Sequence, residues 1–370
     1  MLKELLLIVF LASAGVQFVY WLLFLITIIF HKKESSVSKN DKPGVSIIIC
    51  AYNEIGNLKQ LLPALYKQDY SNVEIIIVND RSTDGSYEFL LEESKSSPKL
   101  TLITIDKSPD HIDSKKYAIS LGVKAANFNR LLFTDADCLP ESDKWVSSMS
   151  NGFADNKEFV IGYSQFKKED SIVNMFSRFE TQITGMLYNS FAIAGNPYMA
   201  VGRNLGYLRS TFLKNKGFNQ FQKITGGDDD LLVNHYATKS NSNVCFGREA
   251  LVWSYSKKSF SDYYKQKLRH ISVSKYYKAK DKFLLSMYSS SHLCFWIAFV
   301  ILASSKHFTE LMLGILAFRL IFNSLVVNHT SKKFGERIVV WIVPIMDLIY
   351  NPYLIIMGIA ALSTKKVKWN

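Results

Sequence analysis

Leu131-Leu132-Phe133-Thr134-Asp135-Ala136-Asp137-Cys138-Leu139-Pro140 is the stretch on which the reading of this chain turns. Its apolar start is long enough for a strand buried on both faces. The run stops at two carboxylates with one small residue between them. On an extended chain, residues two apart point the same way. Asp135 and Asp137 then face one point just past a strand's C-terminal edge, where open α/β sheets bind ligands. Two hard oxygen ligands suit Mg2+ or Mn2+, ions that usually complete their shell with water and substrate phosphates. An acidic surface turn has the same composition, so the pair takes its meaning from its surroundings.

Upstream, Val45 to Glu54 reads as a buried strand with a polar tip, and Asn57 to Lys67 carries leucines at helical spacing. A second strand, Val73 to Val78, breaks into Asn79-Asp80-Arg81-Ser82-Thr83-Asp84-Gly85. A third apolar run, Leu100 to Ile105, precedes a helix from Lys115 to about Ala126. Strand and helix alternating in this rhythm predict βαβ units and a parallel sheet. The polar ends of strands one, two and four then meet along one edge. Downstream, Phe159 to Gln165 reads as one strand, and Asp170 to Tyr188 as a helix with a mixed face. In Gly226-Gly227-Asp228-Asp229-Asp230 three adjacent carboxylates repel one another unless a cation, solvent or a helix N-terminus relieves them. Leu231 and Leu232 follow, which puts the aspartates in a first helical turn.

These segments together resemble glycosyltransferase family 2, enzymes that use nucleotide sugars on a GT-A fold, over roughly Val45 to His270. The resemblance implies a GT-A-type, Rossmann-like α/β domain. It rests on Ala51-Tyr52-Asn53-Glu54, on Asp80 at the end of strand two, on Asp135-x-Asp137, and on the acidic run. Ser114-Lys115-Lys116-Tyr117-Ala118-Ile119-Ser120 matches a Gly-Lys-x-x-Ala-Leu-Asn-like segment with its glycine and asparagine replaced. By resemblance, Ala51, Asn53, Glu54, Asp80, Lys115, Asp135 and Arg269 face the donor, and Asp135 and Asp137 hold a divalent Mg2+ or Mn2+. Gly202, Arg203, Asn204 and Gln266 lie on the acceptor side. Aligning the family's acidic pair on Asp228-Asp229 makes Asp229 the catalytic base, while a one-residue slip keeps Asp228 in contention. Gln266-Lys267-Leu268-Arg269-His270 resembles the Gln-x-x-Arg-Trp signature of membrane-embedded members, with His270 replacing Trp. The implied reaction is inverting transfer from a nucleoside diphosphate sugar to an acceptor hydroxyl or a lipid phosphate, on a lipid-linked or saccharide acceptor, a step in glycolipid or polysaccharide synthesis. A processive synthase, or a non-catalytic scaffold with a transferase-like body, is the alternative.

The 370 residues are 48% hydrophobic, and the apolar ones crowd both ends of the chain. Leu5 to Phe30 is almost continuously apolar, long enough to cross a bilayer core of roughly 30 Å. It ends in bulky aromatics and His31-Lys32-Lys33 instead of a small-residue cleavage site, so an uncleaved anchor is expected. The expected layout is a span at 1–31, a linker at 32–43, the transferase body at 44–260, an interfacial region at 261–282, a membrane region at 283–363 and a tail at 364–370. In the membrane region one span lies near Phe283 to Ser304, interrupted by Ser289-Ser290-Ser291-His292, and another near Leu311 to Val327. Ile338 to Leu362, with Pro344 and Pro352, reads as one kinked span or as a re-entrant pair of half-helices. Intramembrane charge beyond Asp347 is sparse, which argues against a transporter. Lys/Arg next to the spans places the body in the cytoplasm, at a bacterial inner membrane. The net charge of +12 is accounted for by lipid headgroups and an anionic substrate, and no nucleic-acid motif accompanies it. The four cysteines show neither metal-ligand nor disulfide spacing.

Overall fold

The computed structural model describes residues 1–31, 43–305 and 307–363. All of the expected linker but Pro43, and the whole expected tail, lie outside the described residues. Ten strands are present among them: β1 Val45–Ala51, β2 Val73–Asp80, β3 Leu100–Ile105, β4 Arg130–Phe133, β5 Cys138–Pro140, β6 Phe159–Gly162, β7 Ser164–Phe166, β8 Leu205–Leu208, β9 Ser242–Cys245 and β10 Val252–Ser254. The helices are α1 Leu2–Phe30, α2 Ile55–Tyr66, α3 Ser86–Ser96, α4 Ser114–Ala125, α5 Trp145–Asn151, α6 Ile172–Ile193, α7 Arg209–Lys214, α8 Asp230–Tyr236, α9 Phe260–Val273, α10 Ala279–Ser304, α11 Thr309–Phe334 and α12 Val343–Ser363.

The main sheet runs β3-β2-β1-β4-β8-β6-β9, and β1 to β4 are mutually parallel. β1 and β2 are apolar runs buried on both faces because helices cover both sides. β3, at the edge, leaves Thr101 and Thr104 exposed. The chain moves outward from β1 to β3 and then crosses back to β4 on the other side of β1. That reversal opens a crevice at the C-terminal ends of β1 and β4, the usual ligand position in such sheets. β8 continues the sheet antiparallel to β4, β6 runs antiparallel to β8, and β9 pairs parallel to β6. A second sheet, β5-β10-β7, covers the lower side of the crevice.

The single strand expected over Phe159–Gln165 is two strands in two sheets, broken at Tyr163. Gly162 lies against Asn204, where an added Cβ would come within 2.4 Å of the Asn204 side chain. Tyr163 stacks on Phe334 of α11 at 4.1 Å and donates to Glu336 at 2.5 Å, so the chain is tied to the end of α11 where it changes sheet. The same Glu336 carboxylate pairs with Arg178 of α6 at 2.9 Å, with both groups buried. This network docks the body onto the loop between α11 and α12.

Four helices, α1, α10, α11 and α12, are long and apolar enough to cross a membrane. The Ser289–His292 interruption does not occur: α10 runs through it as one helix, and Ser291 finds partners within and beside it. Ser291 Oγ donates to the Tyr288 carbonyl at 2.7 Å, and Gln17 of α1 donates to the Ser291 carbonyl at 2.9 Å. The last segment is a single helix with Pro352 inside it. Charge within these apolar helices also exceeds the sequence expectation, since Asp347 has a partner in Arg319 of α11. Arg319 donates to Asp347 at 2.5 and 3.2 Å and to Gln17 at 2.8 Å, and it lies over the Phe295 ring at 4.7 Å. Removing one member of a buried pair strands the other charge. Asp347→Ala is therefore expected to lower stability by about 3–5 kcal/mol, read as thermal unfolding in detergent. Arg319→Met combined with Asp347→Leu is expected to recover most of the loss.

Candidate active site

Three strand ends supply the upper wall of the crevice. Ala51 closes β1 as a small buried residue, and Asn53 follows in the left-handed region at φ 54°. Asn53 spends its polar groups on the neighbouring turn: its N–H donates to Ser82 Oγ at 3.0 Å, and its Oδ1 accepts from Thr83 N at 2.7 Å. It shapes the β1–β2 edge and does not line the crevice. Glu54 does line it. Burial raises its pKa, and the charges of Asp137 and Asp135 add to the shift. Asp80 ends β2 with Oδ1 2.7 Å from Arg81 Nε. Asp135 and Asp137 follow β4, and their carboxylate oxygens lie with Cys138 Sγ within 4.8 Å of one another. Burial, reinforced by the adjacent Asp135 charge, raises the pKa of Asp137. Two crowded carboxylates with excess negative charge form a donor set that a hard divalent cation relieves.

The lower wall is the acidic run. Gly226 and Gly227 take φ of +76° and +78°, a conformation L side chains rarely adopt, and they turn the chain into α8. The three aspartates then diverge. Asp228 Oδ2 meets Lys115 Nζ at 3.3 Å, and the same ammonium reaches Asp135 Oδ1 at 3.0 Å. Burial pushes the Asp228 carboxyl up, but Lys115 and Lys116 outweigh it and hold the group below the usual carboxylate range. Asp229 caps α8: its Oδ2 accepts from Gly202 N at 2.6 Å and its Oδ1 from Asp230 N at 2.7 Å. Burial, then the charge of Asp228, raises the pKa of Asp229. Asp230 turns away and accepts from the Tyr277 hydroxyl at 2.7 Å. For Lys115, burial works against the charge, but the surrounding aspartates hold its pKa well above the ordinary value.

The remaining expected site residues separate. Gly202 packs on Asp229, where an added Cβ would meet Oδ2 at 3.2 Å. Arg203 lies over the Phe166 ring at 4.7 Å and donates to Ser164 Oγ at 2.5 Å. Asn204 is 0% exposed and faces the core, where it accepts from Trp145 Nε1 at 3.0 Å and donates to the Tyr163 and Ala250 carbonyls. It braces the sheet behind the site. Gln266 and Arg269, on α9, line the crevice beside residues of α10 and α12.

Lys116 was passed over in the sequence. It is fully buried and donates to the Ile224 and Gly226 carbonyls, so it fastens the loop leading to Asp228. The sequence signal for this role is the lysine pair Lys115-Lys116. Asp281, at the start of α10, accepts from Asn234 of α8 at 2.8 Å and from Asn196 at 2.7 Å. The acidic helix is thus tied to the first turn of a membrane-type helix.

All these walls enclose one cleft of about 1490 Å³ that continues between α6, α10 and α12 as far as Met357 and Gly358. Residues 46–214 match the model of the family described as Glycosyl transferase family 2. A poly-beta-1,6-N-acetyl-D-glucosamine synthase of Staphylococcus epidermidis is 24% identical over 230 residues, 61% of this chain and 53% of that protein. The synthase of that name from Staphylococcus aureus (strain MSSA476) is 25% identical over 187 residues, 48% of this chain and 44% of that one. The chain spans about half the length of the curated relatives it matches. In architecture it is similar to the mannosyltransferase PcManGT from Pyrobaculum calidifontis, solved in complex with GDP-Man and Mn2+. That likeness has a TM-score of 0.60 at 16% identity, covers 95% of this chain and 99% of the other, and concerns the fold. The parallel sheet with acidic strand ends and the shared architecture give a body of GT-A-like α/β fold whose residues 46–214 resemble glycosyl transferase family 2, joined, among the described residues, to four helices long and apolar enough to span a membrane.

Proposed function

We propose that the protein is a membrane-bound inverting glycosyltransferase that moves a sugar from a nucleoside diphosphate sugar to a hydroxyl on a lipid-linked acceptor. One observation carries this reading: the cleft holding Asp135, Asp137, Lys115 and Asp229 continues unbroken between helices of membrane-spanning length. A soluble acceptor has no need of that route, whereas a lipid-anchored one approaches along it.

Asp135 and Asp137 would hold a divalent cation, which when bound supplies Lewis-acid stabilisation of the departing diphosphate. Lys115, kept charged by its carboxylate partners, adds a fixed positive group beside that leaving group. Arg269, on the opposite wall, offers a planar donor fork to phosphate oxygens. The acceptor hydroxyl must lose its proton as it attacks, and Asp229 is the better general base of the two candidates. Its raised pKa moves it toward the useful range, and two backbone N–H groups fix its orientation. Asp228 is neutralised by Lys115 and is therefore a weak base. Attack from one side and departure on the other inverts the anomeric carbon without a covalent intermediate.

A processive polysaccharide synthase is the second reading, favoured by the printed names of the relatives. His270 in place of Trp counts against it. The body lies on the cytoplasmic side of a bacterial inner membrane in either case.

The test is a screen of nucleotide sugars with the purified full chain in detergent, with Mg2+ or Mn2+ and bacterial lipid extract as acceptor source. Metal-dependent release of nucleoside diphosphate, rising when lipid extract is added, is expected for at least one donor. No turnover of any donor with either ion would remove the reading.

A further inference from the structure

α1, α10 and α11 behave alike. Each has one end on the body: His31 after α1 lies 5.0 Å from the Phe246 ring, Asp281 at the start of α10 accepts from Asn234, and Phe334 closing α11 stacks on Tyr163. At the opposite end, Lys3 of α1 meets His307, between α10 and α11, at 3.2 Å. The three therefore run side by side from the body to a common far end.

α12 takes another course. Asp347, in its second turn, is level with Arg319 and Asn323 of α11. A crossing helix would continue from there toward the Thr309 end of α11. α12 instead turns onto α6 and α9: the Tyr350 ring lies 6.0 Å from Phe179, and the Tyr353 ring 5.1 Å from Phe176 and 6.2 Å from Tyr263. α6 belongs to the body. Tyr188 donates to the Gly162 carbonyl of β6 at 3.1 Å, and Gln182 is hydrogen-bonded to Thr330, nearer the body end of α11 than Asn323. Tyr353 is also the middle residue of α12. If α12 crossed a bilayer, Tyr353 would sit at the centre of the hydrocarbon, and Phe176 and Tyr263 with it. Yet Asp262 and Lys265, both exposed, stand within one turn of Tyr263, and exposed Asp170 lies just ahead of α6. Charged side chains at the bilayer centre are costly, so this packing holds the middle of α12 at a shallow depth.

The outer face of the helix agrees. Ile345, Leu348, Ile349, Ile355, Ile356 and Ile359 are exposed and recur at helical spacing along one side. Asp347, Tyr350, Asn351 and Met357 are buried on the other. Trp341, 75% exposed, stands just ahead of α12, and such aromatics sit at headgroup level. An unbroken apolar stripe backed by a polar, protein-bound face suits a helix lying in the interface plane. Lys365, Lys366 and Lys368 come next in the sequence, and basic flanks prefer the cytoplasmic side, the one assigned above to the body.

We infer that α12 does not cross the membrane but lies in its surface on the body side, with the Ile345–Ile359 stripe embedded among the acyl chains of one leaflet. The chain then crosses through α1, α10 and α11, and α12 forms a wall of the cleft with Tyr350, Tyr353 and Leu354. The end of the cleft at Met357 and Gly358 opens near the headgroups, where the polar end of a lipid-linked acceptor stands. That consequence rests on the transfer reading, whereas the placement of α12 does not.

The experiment measures the depth of spin labels on the full chain in lipid nanodiscs, by power saturation with oxygen and a water-soluble nickel chelate. Labels are placed singly on Ile345→Cys, Leu348→Cys, Ile356→Cys and Ile359→Cys, with the exposed Cys294 replaced by Ser and that background as the blank. Every labelled side chain is exposed, so the packed face stays intact. Leu311→Cys and Leu325→Cys, exposed on α11, form a crossing pair with the same separation as Ile345 and Ile359. At about 1.5 Å per residue, either pair spans about 21 Å. The α12 labels are expected at one depth, about 5–10 Å below the headgroups, and the α11 pair at depths about 20 Å apart. A depth difference between Ile345→Cys and Ile359→Cys closer to the α11 value than to zero overturns the placement. So does an α11 pair without a gradient. A stripe screened from oxygen and nickel alike overturns it too, since a protein partner would then cover that face. No donor or acceptor enters the measurement, so the transfer reading can fail without it, and it without the transfer reading.

Discussion

Asp229→Asn is expected to lower transfer onto a hydroxyl acceptor by about 10²–10⁴-fold, the usual worth of a positioned general base, while nucleotide-sugar affinity is retained. The substitution keeps the size of the side chain and an oxygen to accept from the Gly202 or Asp230 N–H, but it removes the group that takes the proton. The donor sits against Lys115, Asp135 and Asp137 on this reading, and none of these is altered. Separate measurements of donor binding and of transfer distinguish the two effects. The pH dependence adds a second check. Asp229 works only when ionised, and burial with the neighbouring Asp228 raises its pKa. Activity should therefore fall as pH drops through a value above the ordinary carboxylate range, and Asp229→Asn should abolish that acidic limb. Full transfer by the variant would remove Asp229 from the mechanism. If transfer goes instead to a lipid phosphate, whose oxygen is already ionised, the loss will be small, and the acceptor class is corrected by that result.

Asp137→Ala is expected to erase the dependence of donor affinity on Mg2+ or Mn2+ and to slow turnover on the order of 10²–10³-fold, equivalent to a few kcal/mol of lost charge stabilisation. Asp135 remains, but its nearer partner is then the Lys115 ammonium at 3.0 Å, and one carboxylate is a poor cage for an ion that keeps several waters. Removing Asp137 also takes away a carboxyl whose pKa is raised by burial and then by the adjacent Asp135 charge, so the folded chain should not be destabilised. Titrating donor with and without a chelator, in both proteins, is the measurement. Unmodified protein that binds donor equally well in both conditions would show that no ion takes part in donor binding.

Much of the architecture was legible in short stretches. The apolar runs at Val45, Val73, Leu100 and Leu131 became β1 to β4, and the leucines after Asn57 became the buried face of α2. Those features are local: a period of two or 3.6 residues records which side of an element meets a core. The acidic strand ends were legible for the same reason, because carboxylates at the tip of a buried strand have only the sheet edge to occupy. Two readings failed where a side chain found an unforeseen partner. The serines and His292 looked like a break in α10, yet the helix runs through them, with the Ser291 hydroxyl back-bonded to Tyr288 and its carbonyl held by Gln17. Asn204 sat in a promising glycine-rich turn, but its amide was claimed by Trp145 and two buried carbonyls.

By itself the sequence determined the parallel α/β core, the four apolar segments and the collection of acids at one sheet edge. Tertiary structure alone decided the division of labour among those acids: Asp228 to Lys115, Asp229 to the Gly202 amide, Asp230 to Tyr277. It also decided that Arg319 would find Asp347 and Gln17, the latter 302 positions away. The reason is physical. Periodicity is written into neighbouring residues, whereas the charge state of a buried carboxylate is set by whichever group the fold brings within about 3–4 Å of it, and no local pattern encodes that distance.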